Sequence, residues 1–176
     1  MMKKLTTLAL VLILVFTLAV SGAHADPEAM YGKTFPDFTV KTIDGSTFTL
    51  SESLKTHDLV LINFWATWCG PCCMEFPYLQ EAWEKYADRI DVIALSVEKT
   101  DTIKKLNSFA KKNGYSFSIG RDEEKLFNSM RGNAIPTTLI VDRDGRVVYV
   151  EVGAKTSVSD FTDLFDSLLN EVPVEL

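Results

Sequence analysis

Histidine is almost missing from this chain: His24 and His57 are the only two in 176 residues. Cysteine is nearly as scarce, with three residues that all fall within Cys69–Cys73. Cysteines packed that closely cannot staple distant segments into a disulfide framework, and a chain of this size buries a sizeable core without staples. A zinc site built on two of them needs a second pair of Cys or His ligands, and His24 lies in a segment that reads as removable. Basic charge is also short. Lys and Arg number 18 against 24 Asp and Glu, a formal net charge of −6. That argues against nucleic-acid binding, which depends on a basic face. No internal repeat or low-complexity tract interrupts the chain, and its length suits one domain.

What is present begins with the N-terminus. Lys3 and Lys4 precede "LTTLALVLILVFTLAV", which is apolar apart from its threonines. Ala23 and Ala25 then fill the small-residue positions of a signal-peptidase site. The expectation is an export signal at 1–25. Its removal leaves 26–176 and takes the charge from −6 to −8. The apolar run also lies close enough to spanning length for an uncleaved anchor to stay open. No cysteine stands near the cleavage site, so a lipid-modified N-terminus is not expected. Export bears on the cysteines, because disulfides persist outside the cytoplasm. A tight C-x-x-C in an exported chain points to redox work.

Residues 26–35 read as a tether and 36–176 as the folded domain. "DFTVKTIDGSTFTL" holds two β-rich runs around Asp44–Gly45, a hairpin signal. "LVLINFW" (59–65) is a near-continuous apolar run, as in a central strand buried on both faces. "PCCMEFPYLQEAWEKYA" reads as a helix with Phe76, Leu79, Trp83 and Tyr86 on one face, and with Pro77 predicted to kink it. "IDVIALSVE" is a second buried strand. An amphipathic helix ending at Asn113–Gly114 follows, then a short extended piece and a short helix. "IPTTLIVDRDGRVVYVEVG" is a strand, an Asp144–Gly145 turn and a strand. The closing helix turns Phe161, Leu164, Phe165, Leu168 and Leu169 inward. Strands alternating with helices define an α/β sandwich. Its sheet begins parallel, gains antiparallel strands from the last hairpin, and carries helices on both faces.

Cys69 follows directly from the buried strand and opens a helix, where unpaired backbone N–H groups and the positive end of the dipole favour thiolate over thiol. Cysteine thiols at helix starts in C-x-x-C have lowered pKa values, and thiolate is the nucleophile of disulfide exchange. Pro71 sits in the first turn, where its missing N–H costs little. This predicts Cys69 as the exposed attacker and Cys72, a turn further in, as the resolving thiol. A purely structural disulfide of that span would remove little chain entropy. Cys73 leaves a second spacing open, C-x-x-x-C from Cys69, and with it a mis-paired bond. Trp65 reads as core, whereas Trp68, beside the nucleophile, offers a contact surface. No peroxidatic P-x-x-x-T-x-x-C setting is present, which argues against an antioxidant peroxidase.

"NFWATWCGPC" followed by "IPTT" resembles the thioredoxin fold. The longer set "GKTFPDFTVKTIDGSTFTL", "LVLINFWATWCGPC", "EFP" and "IPTTLIVDRDG" is similar to the TlpA/ResA group of exported thiol–disulfide oxidoreductases, relatives of the cytochrome c maturation thioredoxins. The likeness runs from about Gly32 to the last helix. It implies a thioredoxin-like three-layer sandwich with a mixed central sheet and an N-terminal β-hairpin extension. It implies a redox-active Cys69–Cys72 disulfide, a cis peptide at Pro136 facing it, and an Ile135 backbone that hydrogen-bonds an extended substrate segment beside Cys69; Trp68, Gly70 and Pro71 are read with Ile135 and Pro136 as substrate-binding. Glu75 matches the glutamate of the ResA-like pattern. Three residues after Cys72, it shares that residue's side of the helix and, partly desolvated, would move protons during exchange. Asn63 stands where thioredoxin itself has a buried aspartate, and Cys73 stands where relatives place a basic residue. The implied activity is reduction of a disulfide-bearing extracytoplasmic client such as apocytochrome c. Electrons would come from a membrane thiol carrier, with no cofactor, no metal and a monomeric protein. The alternative is a copper-binding module of the same fold, which uses C-x-x-x-C-P and a distant His. Here no Pro follows Cys73, and His57 precedes the motif.

Overall fold

In the computed structural model, which describes residues 27–171, a 3-10 turn at Pro27–Met30 leads into β1 (Thr39–Lys41), β2 (Thr47–Thr49) and α1 (Leu50–Ser53). There follow β3 (Leu59–Trp65), α2 (Gly70–Glu84), β4 (Ile90–Ser96), α3 (Ile103–Asn113), β5 (Ser118–Arg121) and α4 (Leu126–Ser129). The chain then forms β6 (Thr137–Asp142), β7 (Val147–Val152) and α5 (Val158–Glu171). The export segment read at 1–25 lies outside the described residues.

The five-stranded sheet has the order β5-β4-β3-β6-β7. β3, β4 and β5 run parallel, because α2 and α3 carry the chain back before each new strand. Both crossovers step the same way across the sheet, so right-handed connection puts both helices on one face. The Asp144–Gly145 turn, with Gly145 at φ +75°, reverses the chain directly, and β6 and β7 are antiparallel. β1 and β2 form a separate two-stranded hairpin, linked to β5 by the Thr42–Gly120 bridge. Gly120 suits that contact: a Cβ there would stand 3.1 Å from the Lys41 carbonyl oxygen.

This is a thioredoxin-like α/β fold with an N-terminal hairpin and helices on both faces, though the faces are unequal. α2, α3 and α5 share one core with Leu61, Trp65, Phe76, Leu106, Phe161 and Phe165. The opposite core is roofed by the hairpin and the one-turn helices α1 and α4, around Val40, Phe48, Ile62, Phe64 and Phe127. The start of the described chain is docked as well. Gly32 N–H donates to the Val147 carbonyl at 2.8 Å, Val147 N–H to Lys33 at 2.8 Å and Phe35 N–H to Gly145 at 2.8 Å, covering the first part of edge strand β7.

β3 is buried at all seven positions, and Asn63 is its one polar side chain. At its end Trp65 packs on Phe76 at 4.6 Å and Phe109 at 5.2 Å between ring centres. This aromatic cluster anchors the first turns of α2 to the sheet; truncating such a side chain to Ala costs about 3–5 kcal/mol. α2 continues through Pro77 rather than ending there.

Candidate active site

β3 ends at Trp65, and Ala66–Trp68 turn the chain so that Cys69 caps the N-terminus of α2. Backbone bonds flank the cap: Cys69 N–H donates to the Ala66 carbonyl at 3.0 Å, and Cys73 N–H to the Cys69 carbonyl at 3.0 Å. Pro71 lies in the first turn. Cys69 and Cys72 are joined in a disulfide, with Cα atoms 5.3 Å apart. The Cys72 N–H donates to Cys69 Sγ at 3.2 Å. That N–H and the helix end both favour negative charge on this sulfur once the bond is reduced.

Accessibility differs from the sequence expectation. Cys69, expected to be the exposed sulfur, is 3% exposed, against 0% for Cys72. Its sulfur is covered by the sulfur it bonds and by the Ile135 carbonyl oxygen, 3.7 Å away. Ile135–Pro136 is a cis peptide, and the Gly153 N–H donates to the Pro136 carbonyl at 2.9 Å. The motif and "IPTT", far apart in sequence, therefore meet. Trp68, Gly70 and Pro71 form the exposed rim around them.

A buried aspartate outside the motif holds the approach loop. Asp101, fully buried, accepts from the Thr67 N–H at 2.9 Å, Thr67 Oγ1 at 2.5 Å, Ser96 Oγ at 2.7 Å and Lys105 Nζ at 2.6 Å. Burial alone would raise its pKa, but these bonds outweigh it and keep the carboxyl below its ordinary value. Trp68 is 65% exposed, and its Nε1 donates to Glu98 Oε2 at 2.9 Å. The loop between β4 and α3 thus cradles Thr67 and Trp68 together. Asp101 was not foreseen, since in sequence it reads as an acid beside a helix start.

Glu75 is 0% exposed. Asn63 Nδ2 donates to its Oε1 at 2.8 Å and the Lys155 N–H to its Oε2 at 3.1 Å. Asn63 Nδ2 also donates to Thr138 Oγ1 at 3.0 Å, its partner across the β3–β6 ladder. Burial pushes the Glu75 carboxyl up from 4.5 to about 7, against the pull of the Asn63 and Lys155 bonds. Such a group exchanges a proton near neutrality. Lys155 and Thr138 carry no sequence signal of this role; strand register sets Thr138 on Asn63, and the loop after β7 brings Lys155 to Glu75.

Cys73 is half-buried, and its thiol points back at the Thr67 carbonyl, 3.7 Å away. Burial, and then the nearby Asp101 charge, raise its pKa, so it stays a thiol. His57 lies beyond the opposite end of β3, beside the Ser53 carbonyl and Thr56 Oγ1 at 3.1 Å each. The strand between it and the cysteines is seven residues long, roughly 20 Å. Among the described residues no cluster of three His, Cys, Asp or Glu side chains could hold a metal ion.

A Cys-x-x-Cys disulfide at a helix start on a thioredoxin-like sheet defines a thiol–disulfide oxidoreductase. The chain belongs to the Redoxin family, which it matches over residues 30–167, and within it to the ResA/TlpA-like group. It is 36% identical over 138 residues to the thiol-disulfide oxidoreductase ResA of Bacillus thuringiensis (strain Al Hakam), covering 77% of this chain and 78% of that one. It is 34% identical to the thioredoxin-like protein YneN of Bacillus subtilis (strain 168), over 71% and 73% of the two chains. Among solved structures it resembles a thioredoxin-family thiol:disulfide interchange protein from Chlorobium tepidum TLS, with a TM-score of 0.69 and 28% identity, over 78% of this chain and 97% of that one.

Proposed function

We propose that this oxidoreductase is exported through its 1–25 segment and acts as a monomer that reduces a disulfide-bearing extracytoplasmic client. Apocytochrome c is the client class that the family likeness suggests. The Cys69 thiolate attacks one client sulfur, the client S–S bond breaks, and a mixed disulfide forms with release of a client thiolate. Cys72 then gives up its proton and attacks Cys69 Sγ, which frees the second client sulfur and leaves the Cys69–Cys72 disulfide. The client gains two electrons, and a membrane thiol carrier restores them to the protein. Glu75 receives the Cys72 proton. An extended client segment lies against the Ile135 backbone and Pro136, with Trp68, Gly70 and Pro71 as its contact rim.

The observation that carries this reading is the Cys69–Cys72 disulfide at the start of α2, facing the Ile135 carbonyl across 3.7 Å. The copper-delivery alternative loses its third ligand, because His57 sits at the far end of β3. The test is the reduction potential of the Cys69/Cys72 couple. A value near ~−270 mV supports a reductant, and a value near ~−120 mV makes the protein an oxidant instead.

A further inference from the structure

Lys155 stands outside the cysteine motif, yet it touches Glu75 through its backbone and the sheet edge through its side chain. Its N–H donates to Glu75 Oε2 at 3.1 Å. Its Nζ donates to Tyr149 Oη at 2.8 Å and pairs with Glu151. The ammonium also lies 5.1 Å from the Tyr149 ring centre and 5.8 Å from that of Phe161. The side chain is only 9% exposed, and lysines are rarely so buried without partners. Here β7 supplies them. Tyr149 Oη donates to Glu151 Oε2 at 2.5 Å, which makes a closed set of three polar groups.

That set is continuous with the groups around Glu75. Glu151 faces Thr138 in the β6–β7 ladder, and Thr138 faces Asn63 in the β3–β6 ladder. Asn63 in turn holds the other oxygen of Glu75. One row of side chains therefore crosses three strands, and the 153–155 loop closes it over the carboxylate. The same loop holds the Pro136 carbonyl through Gly153 at 2.9 Å.

We propose that Lys155 is a positioning residue for Glu75: its side chain, locked on Tyr149 and Glu151, fixes the 153–155 loop and sets the balance of charge that the carboxylate meets. This rests on the reading of Glu75 as the proton-handling group. The groups that face Glu75 are Asn63 from β3, Lys155 from the loop and Glu151 from β7; Asp160 of α5 acts on Glu151. Lys155 favours the charged carboxylate and Glu151 opposes it. Removing one or the other pushes Glu75 in opposite directions. Lost packing alone would move both variants the same way.

The experiment follows the Glu75 carboxyl carbon resonance against pH in the oxidised full chain, with Glu75→Gln identifying the signal. Lys155→Met keeps the amide but loses the ammonium, and should raise the midpoint by roughly half a unit or more. Glu151→Gln should lower it by a similar amount, and Lys155→Arg should stay near wild type. If Lys155→Met does not fold, Glu151→Gln and Lys155→Arg still give the sign and the rescue. Absent or same-direction shifts around a wild-type midpoint near 7 overturn the role of Lys155 and leave that of Glu75 standing. A wild-type midpoint in the ordinary carboxylate range sinks both.

Discussion

Asn63 and Glu75, twelve positions apart, meet at 2.8 Å inside the protein, and the amide nitrogen is the atom that meets the acid. Both oxygens of Glu75 face donors, Asn63 Nδ2 and the Lys155 N–H. As assembled, these partners suit the carboxylate while burial suits the acid. A hydrogen bond to the charged form lowers a carboxyl pKa, so Asn63 holds back the rise that burial imposes. Asn63→Leu should move the Glu75 midpoint above the wild-type value of about 7. An unchanged midpoint in a carboxyl-resolved titration would show that the amide contributes nothing.

Stability should carry the imprint of the same group. In the folded protein Glu75 binds its proton with a pKa of about 7, against 4.5 without the fold. Between those values the folded state holds more proton than the unfolded chain, so stability falls as pH rises through the window. At one pKa unit per 1.36 kcal/mol, the full effect is on the order of 3 kcal/mol. Glu75→Gln abolishes this component. Denaturant unfolding at pH 5 and pH 8 should show the variant gaining on wild type at the higher pH, and parallel pH curves would count against a neutral-range Glu75.

The thiol of Cys73 is held by burial and the Asp101 charge in its protonated form, and it points at the Thr67 carbonyl rather than outward. Cys73→Ser should therefore leave the exchange rate and the potential of the Cys69/Cys72 couple unchanged within twofold. Alkylation of the reduced protein at neutral pH should modify Cys69 before Cys73, because thiolate is the reactive species. Prior labelling of Cys73 in mass spectra would reverse that order.

The cysteine motif, the long buried strand and the closing hairpin were legible because each is a local pattern: apolar continuity, a helix-start proline, a turn glycine. Glu75 was picked out by the likeness to the ResA-like pattern, and its spacing from Cys72 only placed it on that side of the helix. The unequal roofing of the two sheet faces was less so, since crossover direction decides it rather than any one segment. The groups that set the chemistry of Glu75 were not legible. Strand register places Thr138 on Asn63 and Glu151 beyond it, and a loop that follows β7 brings Lys155 to the carboxylate. Nothing in the local sequence of 149–155 reports that a lysine there is buried. The low exposure of Cys69 escaped as well, because a distant carbonyl covers it.

Asp101 gathers four donors on one carboxylate. An asparagine offers a single acceptor oxygen, so Asp101→Asn leaves buried donors of Thr67 or Ser96 unmatched, at about 1–3 kcal/mol. The carboxyl pKa is below its ordinary value in the fold, so its contribution is present above the unfolded Asp range, ~3.9, and fades as pH falls through the folded value. Chemical denaturation should show the variant weaker at neutral pH, with the gap narrowing toward acid. A constant gap at all pH values would assign the loss to packing.

Trp68 tests whether the exposed rim serves a protein client. Its ring is 65% exposed, and its one bond, to Glu98 at 2.9 Å, lies at the surface. Trp68→Ala should therefore change stability by no more than about 0.5 kcal/mol, as for surface substitutions generally. A small disulfide reagent reaches Cys69 without spanning the rim, so its reduction should proceed at the wild-type rate. A protein disulfide must lay chain across the rim and loses a large aromatic contact, worth about 1 kcal/mol or more. Insulin reduction should slow roughly fivefold through KM while kcat holds. Equal slowing with both substrates would mean that Trp68 supports the cysteine loop rather than the client.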